Sequence, residues 1–168
     1  MNFYIRNAVH DDAEAIAVVH LSSWKNAYTD IIPSDYLEQL STTKKAKTLK
    51  AKLYGACNTG YFVAICNESI IGFIVLSKEE GKGDIGEICA LYLLKEHQGK
   101  GFGKKMMDYV MMTFKNEGIN KVVLWVLEKN MLARRFYEKY GFKKTEAKKN
   151  IYVGKTLSEV KYSLCIHD

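Results

Sequence analysis

The chain has 168 residues, enough for one domain with a substantial core, and its 48% hydrophobic and 26% charged residues are the balance of a soluble globular protein. No apolar run approaches a membrane span, and the opening MNFYIRNAVHDD lacks the basic and apolar regions of a signal peptide, so a cytoplasmic protein with no membrane partner is expected. A net charge of +6 permits nucleic acid, an acidic surface or a polyanionic small molecule, and does not choose among them.

FYIRNAV (3–9) suits a strand. DDAEAIAVVHLSSWKNAY (11–28) opens with acidic residues that favour a helix start, and its apolar residues recur at helical spacing. SDYLEQLSTTKKAKTLKAKLYG (34–55) reads as a second, more solvated helix. YFVAIC (61–66) and IIGFIVLS (70–77), separated by Asn-Glu-Ser, read as a buried hairpin, and EICALYLL (87–94) as a fourth strand. An amphipathic helix (104–118), a strand VVLWVL (122–127) and a short helix (131–141) closed by Gly141 follow. VKYSLCI (160–166) alternates like a half-buried antiparallel strand. The order β–α–α–β–β–β–α–β–α–β–β predicts a mixed sheet covered by helices, with strands 87–94 and 122–127 parallel through a helical crossover. With one proline, Pro33, and no low-complexity segment, residues 1–168 read as a single domain. The four cysteines at 57, 66, 89 and 165 form no CxxC pair, so no disulfide or metal framework is expected, and Cys66 and Cys89 read as buried thiols.

HQGKGFGKKMMDYV, from His97 to Val110, sets three glycines between a buried strand and a helix. Unpaired backbone N–H groups and the helix dipole favour a phosphate there, and a glycine lets the backbone approach it. Two familiar loops fail the test. A P-loop or a dinucleotide fingerprint starting at Gly99 would need glycine at 104, where Lys104 stands. What the spacing does match is Gln/Arg-x-x-Gly-x-Gly/Ala, met by Gln98, Gly101 and Gly103. A second element is Asn130-Met-Leu-Ala133-Arg-Arg-Phe136-Tyr137-Glu-Lys-Tyr-Gly141-Phe142, which fits Asn-x-x-Ala-x-x-Phe-Tyr-x-x-x-Gly-Phe throughout. Helical spacing puts Asn130 and Tyr137 on nearly one face, two turns apart, with Phe136 and Tyr140 directed elsewhere, into the core.

Carrying both motifs in this order, the sequence resembles the GNAT family of acyl-CoA-dependent N-acyltransferases. The resemblance implies an α/β (α+β) fold: a mixed, mainly antiparallel sheet flanked by helices, with splayed parallel central strands. It implies acetyl-CoA as co-substrate, no metal, and an amine acceptor. Backbone groups of Leu91, Tyr92 and Leu93 would pair with pantetheine. Gln98, Gly99, Lys100, Gly101, Phe102, Gly103 and Lys104 would hold the pyrophosphate, with Lys105 adding charge. Asn130 would contact the pantetheine arm, and Tyr137 would place its hydroxyl near the sulfur as general acid. Glu87 stands where members of the family place a catalytic glutamate.

The chemistry can be weighed. An alkylamine with pKa ~10.4 is neutral in about one molecule in a few thousand at pH 7, so a base, or a site selecting the free amine, is useful. Direct transfer from the ammonium to an ordinary glutamate is uphill by roughly 8 kcal/mol, so such a base would act with a raised pKa or through water. The other role for Glu87 is to attract the cation. An ordinary tyrosine protonating a thiolate is uphill by only about 2 kcal/mol, which suits an acid role for Tyr137. No histidine pairs evidently with Cys89, so no acyl-cysteine step is expected.

HLSSWKNAY followed by Ile31-Ile32-Pro33 resembles a pattern on the acceptor side of a subset of the family. Trp24 and Tyr28 are either acceptor-side aromatics or helix-packing residues, and His20 reads as an ordinary residue at the core's edge. The C-terminal half also resembles polyamine-acetylating members, which makes a small amine the leading acceptor. The alternatives are a protein N-terminal or lysine acetyltransferase and a non-catalytic acyl-CoA-binding regulator. No nucleic-acid-binding module stands out, and a homodimer is compatible with the sequence.

Overall fold

Among the described residues, seven strands and five α-helices follow in chain order: β1 (Phe3–Asn7), α1 (Ala13–Tyr28), α2 (Ser34–Glu38), α3 (Thr42–Tyr54), β2 (Gly60–Cys66), β3 (Ser69–Glu79), β4 (Lys82–Leu93), α4 (Phe102–Asn116), β5 (Lys121–Leu127), α5 (Met131–Tyr140), β6 (Lys143–Tyr152) and β7 (Thr156–Cys165). The structure, a computed structural model, describes residues 2–54, 60–79 and 81–166. Cys57 lies outside them. The sheet order is β1-β2-β3-β4-β5-β7-β6, and every pairing is antiparallel except β4 with β5. Among the described residues no helix is long and apolar enough to cross a membrane.

Both faces of the sheet are buried at its centre, which explains why β2 and β3 read as continuous apolar runs. Phe62, Ala64, Ile74 and Leu76 point to the layer of α4 and α5, where Met106, Met107, Val110 and Phe114 pack on them. Their neighbours Val63, Ile65, Phe73 and Val75 point the other way, onto Ala13, Ile16, Ala17 and Val19 of α1 and onto Ala46 and Leu49 of α3. Asn67 and Glu68 join the two strands with φ of 47° and 68°, the left-handed pair that a two-residue hairpin turn requires.

Two expected elements differ in detail. The helix expected over 34–55 is two, because Ser41 caps a new start: its Oγ accepts the Lys44 N–H at 3.3 Å. The acidic residues before α1 anchor more than they extend. Buried Asp12 accepts two bonds from Arg6 at 2.6 and 2.9 Å and the Val9 N–H at 2.8 Å, tying the helix to β1. The Arg6 guanidinium holds the Asp12 carboxyl below the usual carboxylate range.

His20 lies where α1 crosses the sheet. Its ring packs on Trp24 (5.2 Å between centroids), Tyr92 (5.3 Å) and Phe73 (6.0 Å), and its buried Nδ1 has no hydrogen-bond partner among the described residues. Burial, aided by Lys45, depresses its pKa to about 3. The unfolded chain therefore takes up a proton near pH 6.5 that the folded chain refuses, and stability is lost as pH falls from that value towards about 3. Between pH 6.5 and 5, where most carboxylates remain ionised, His20→Phe should flatten a slope of up to about 1.4 kcal/mol per pH unit. Urea melts at intervals over that range check this, and parallel profiles for the two proteins would contradict the burial of a neutral His20.

Candidate active site

β4 and β5 pair only from Ile85–Lys121 to Ile88–Leu124, yet β4 continues to Leu93 and β5 to Leu127. Beyond Ile88 they diverge, and the β4 backbone loses its neighbour on that side. The register with β3 slips at the same place: Leu76 faces Ile88 and Val75 faces Ala90, so Cys89 is an extra residue. This bulge bends β4 where the gap opens. It also overturns the expectation of a core thiol at Cys89. The side chain is exposed, with Sγ 3.1 Å from Ser77 Oγ, whereas Cys66 is buried as expected.

The chain turns from β4 into α4 along the glycine loop. Gln98 closes it by donating from Nε2 to Leu93 O at 3.0 Å. Gly99 and Gly101 have φ of 72° and 83°, and nothing lies within 4 Å of where a Cβ would stand. Their freedom is therefore needed for backbone conformation first, and it leaves an open cradle of N–H groups at the start of α4. Gly103 serves a different end, since a Cβ there would come within 3.2 Å of the Phe136 ring on α5. Phe102 is buried against Phe3, so only its backbone faces the cradle. Two of the lysines are engaged elsewhere: Lys104 pairs with Asp108 at 2.8 Å, and Lys105 lies over the Phe3 ring. Asp108 also accepts from Tyr140 at 2.8 Å, so Tyr140 reaches past the core edge to a partner on α4.

Across the gap, Asn130 caps α5 by accepting the Ala133 N–H at 3.2 Å, which accounts for the Asn-x-x-Ala spacing. The helix is clamped to the sheet by Arg134, which donates to Tyr162 Oη and Glu128 O, each at 2.9 Å. Tyr162 donates in turn to Glu138 at 2.5 Å. Tyr137 is thereby held in the core, and burial raises its pKa well above the ordinary tyrosine value. Among the described residues its hydroxyl has no hydrogen-bond partner.

The sequence did not single out the side chain of Tyr92, which joins the two sides of the site. Trp24 Nε1 donates to Tyr92 Oη at 2.9 Å, Trp24 packs edge-on to Tyr28, and the Tyr28 hydroxyl makes polar contact with Tyr92 and Asn130. Burial raises all three phenols, Tyr28, Tyr92 and Tyr137, so each stays protonated through neutral pH. The only signal of this role in the sequence is alternation, which puts Tyr92 on the α1 side of β4. Glu87 lies where the gap begins, opposite Ser77 on β3 and Val123 on β5, and no lysine or arginine among the described residues pairs with it. Pairing and chain order set Leu91–Leu93 on β4 beyond its last pair with β5, the glycine loop after that strand, Asn130 and Tyr137 on α5 after β5, and Glu87 within the last paired stretch.

The model of the acetyltransferase (GNAT) family matches residues 21–142. The uncharacterised N-acetyltransferase YuaI of Bacillus subtilis (strain 168) is 33% identical over 140 residues, 82% of this chain and 78% of that protein. The spermidine N(1)-acetyltransferase of Thermoplasma acidophilum is 31% identical over 147 residues, 85% of this chain and 89% of that protein. The crystal structure of PaiA N-acetyltransferase from Thermoplasma acidophilum in complex with coenzyme A has the same fold, with a TM-score of 0.80 over 99% of this chain and 100% of that one at 24% identity. The matched segment runs from α1 through both motifs to Phe142, and the chain belongs to the GNAT family as an acetyl-CoA-dependent N-acetyltransferase.

Proposed function

We propose that the enzyme acetylates a small-molecule primary amine, with a polyamine as the favoured class. The observation that carries this reading is the carboxylate of Glu87 at the mouth of the β4–β5 gap, which makes no ion pair among the described residues. It lies on a sheet face outside the apolar cluster that α1 and α3 cover. A cationic amine is the complement of that carboxylate. The likeness to a spermidine N(1)-acetyltransferase supports the same class.

Acetyl-CoA supplies an acetyl group already activated as a thioester, so direct attack by the amine suffices and no acyl-enzyme is needed. In this reading the open β4 edge at Leu91–Leu93 pairs with the pantetheine amides, and its N–H groups polarise the carbonyl. The amides of 98–104 hold the pyrophosphate, and Asn130 meets the arm. Glu87 draws in the ammonium and takes its proton, directly or through water. Tyr137 delivers a proton to the departing sulfur. Burial weakens Tyr137 as an acid, and the same surroundings make a thiolate in the gap more basic, so the two shifts act in opposite directions on the transfer.

A thiol-release assay with acetyl-CoA against polyamines, amino acids, aminoglycosides and peptides tests the acceptor class. Polyamines should have the highest kcat/KM, and a peptide preferred over all of them would move the function to protein acetylation. Tyr137→Phe keeps the ring, so acetyl-CoA affinity by titration calorimetry should hold within about three-fold while kcat falls by about 10²–10⁴. Wild-type kcat in that variant would leave Tyr137 a packing role only. Glu87→Gln separates base from attractor. A base predicts a kcat deficit near neutral pH that closes as pH rises and free amine becomes abundant; an attractor predicts a higher acceptor KM with kcat intact. If neither parameter moves, Glu87 takes no part.

A further inference from the structure

On the sheet face that carries Glu87, the next large side chain across the gap is Trp125. It follows Leu124, the last β5 residue paired with β4, and so stands at the lip where the strands part. Its half-buried indole is covered by two lysine ammonium groups of the chain itself, Lys149 at 4.4 Å from the ring centroid and Lys161 at 5.5 Å. The two differ in how firmly they are held. Lys161 is mostly buried and ion-paired with the equally buried Glu79. Lys149 extends from the edge strand β6, its side chain is 46% exposed, and its ion pair with Glu159 is a loose 3.4 Å.

The position of the Lys149 ammonium matters for the reaction. The Cys89 thiol feels both Glu87 and Lys149, so this cation stands within electrostatic reach of the proposed acceptor carboxylate. Glu159 likewise influences the Tyr28 phenol on the other side of the opening. An aromatic face with a carboxylate beside it is the arrangement that recognises an alkylammonium in general. Here one such place is filled by a side chain that can swing into solvent.

We infer that the Trp125 face and the Glu159 carboxylate form a subsite for a second ammonium of the acceptor, and that Lys149 fills this subsite until the acceptor displaces it. The inference rests on the small-amine reading and narrows it. An acceptor with one amine at Glu87 and another at Trp125 is a diamine or polyamine. A monoamine leaves Lys149 in place, and an amino acid would set its carboxylate against Glu159.

The test measures binding as well as turnover, with putrescine and n-butylamine as probes of the full-length enzyme saturated with coenzyme A. By titration calorimetry, Lys149→Met should bind putrescine roughly three- to ten-fold tighter by removing the competitor, and Glu159→Gln about ten-fold more weakly. Trp125→Leu should weaken putrescine similarly and, where it folds poorly, Trp125→Phe gives the same ordering at smaller size. The kcat/KM ratio of putrescine to n-butylamine should move in the same directions. Unchanged affinity across the variants, no putrescine binding at all, or weaker binding by Lys149→Met overturns the subsite, the last result assigning Lys149 to an anionic ligand. Binding that follows the expected order without acetylation of putrescine keeps the subsite and removes the polyamine function. Acetylation of putrescine indifferent to all the variants does the reverse.

Discussion

Parallel strands share a ladder only while their directions stay matched, and in this protein β4 and β5 stay matched for four residue pairs before parting at Ile88 and Leu124. The bulge at Cys89 turns β4 away on one side, while β5 continues against β7 on the other. A gap in a sheet leaves backbone amides without partners, and buried amides demand them. In the proposed mechanism pantetheine meets this demand as an extended, amide-bearing added strand. Chain order sets the other candidate parts around this divergence: α5 follows β5, the glycine loop follows the end of β4, and Glu87 lies in the last paired stretch.

The aromatic cluster on the α1 side gives the gap its rigid flank. His20, Trp24 and Tyr92 pack together, and the Tyr28 phenol reaches from the end of α1 to Asn130 at the start of α5. The buried, unpartnered Nδ1 of His20 is a cost of this packing, and it is borne as a dependence of stability on pH rather than as a hydrogen bond.

Much of the fold was legible because its signals are local. Alternating and continuous apolar runs marked the strands, the left-handed turn at Gly141 was read as a helix end, and both motifs sit on the predicted strand–loop–helix context. The parallel crossover and the splay followed from element order and family resemblance together. Other features escape periodicity because a single contact or a single extra residue sets them. Ser41 stops a helix that periodicity would continue, because one hydroxyl captures one N–H. Cys89 looked like core because its neighbours are apolar, but a bulge changes which face a residue takes without changing any residue type. Trp125 passed as one more apolar strand residue, since nothing in VVLWVL announces that lysines from two other strands stand over its ring. Lys104 has an ion-pair partner, Asp108, one helical turn on, which the glycine motif does not announce.

The central claim is that the divergent β4 edge and the glycine loop together receive the coenzyme. Amide-resolved hydrogen exchange, followed by NMR with and without saturating coenzyme A, tests it most directly. Slowed exchange is expected at the amides of residues 90–93 and 99–104, with little change along β1, β2 and α3. Protection confined to other elements, with the β4 edge and the loop exchanging as they do in the free protein, would contradict it.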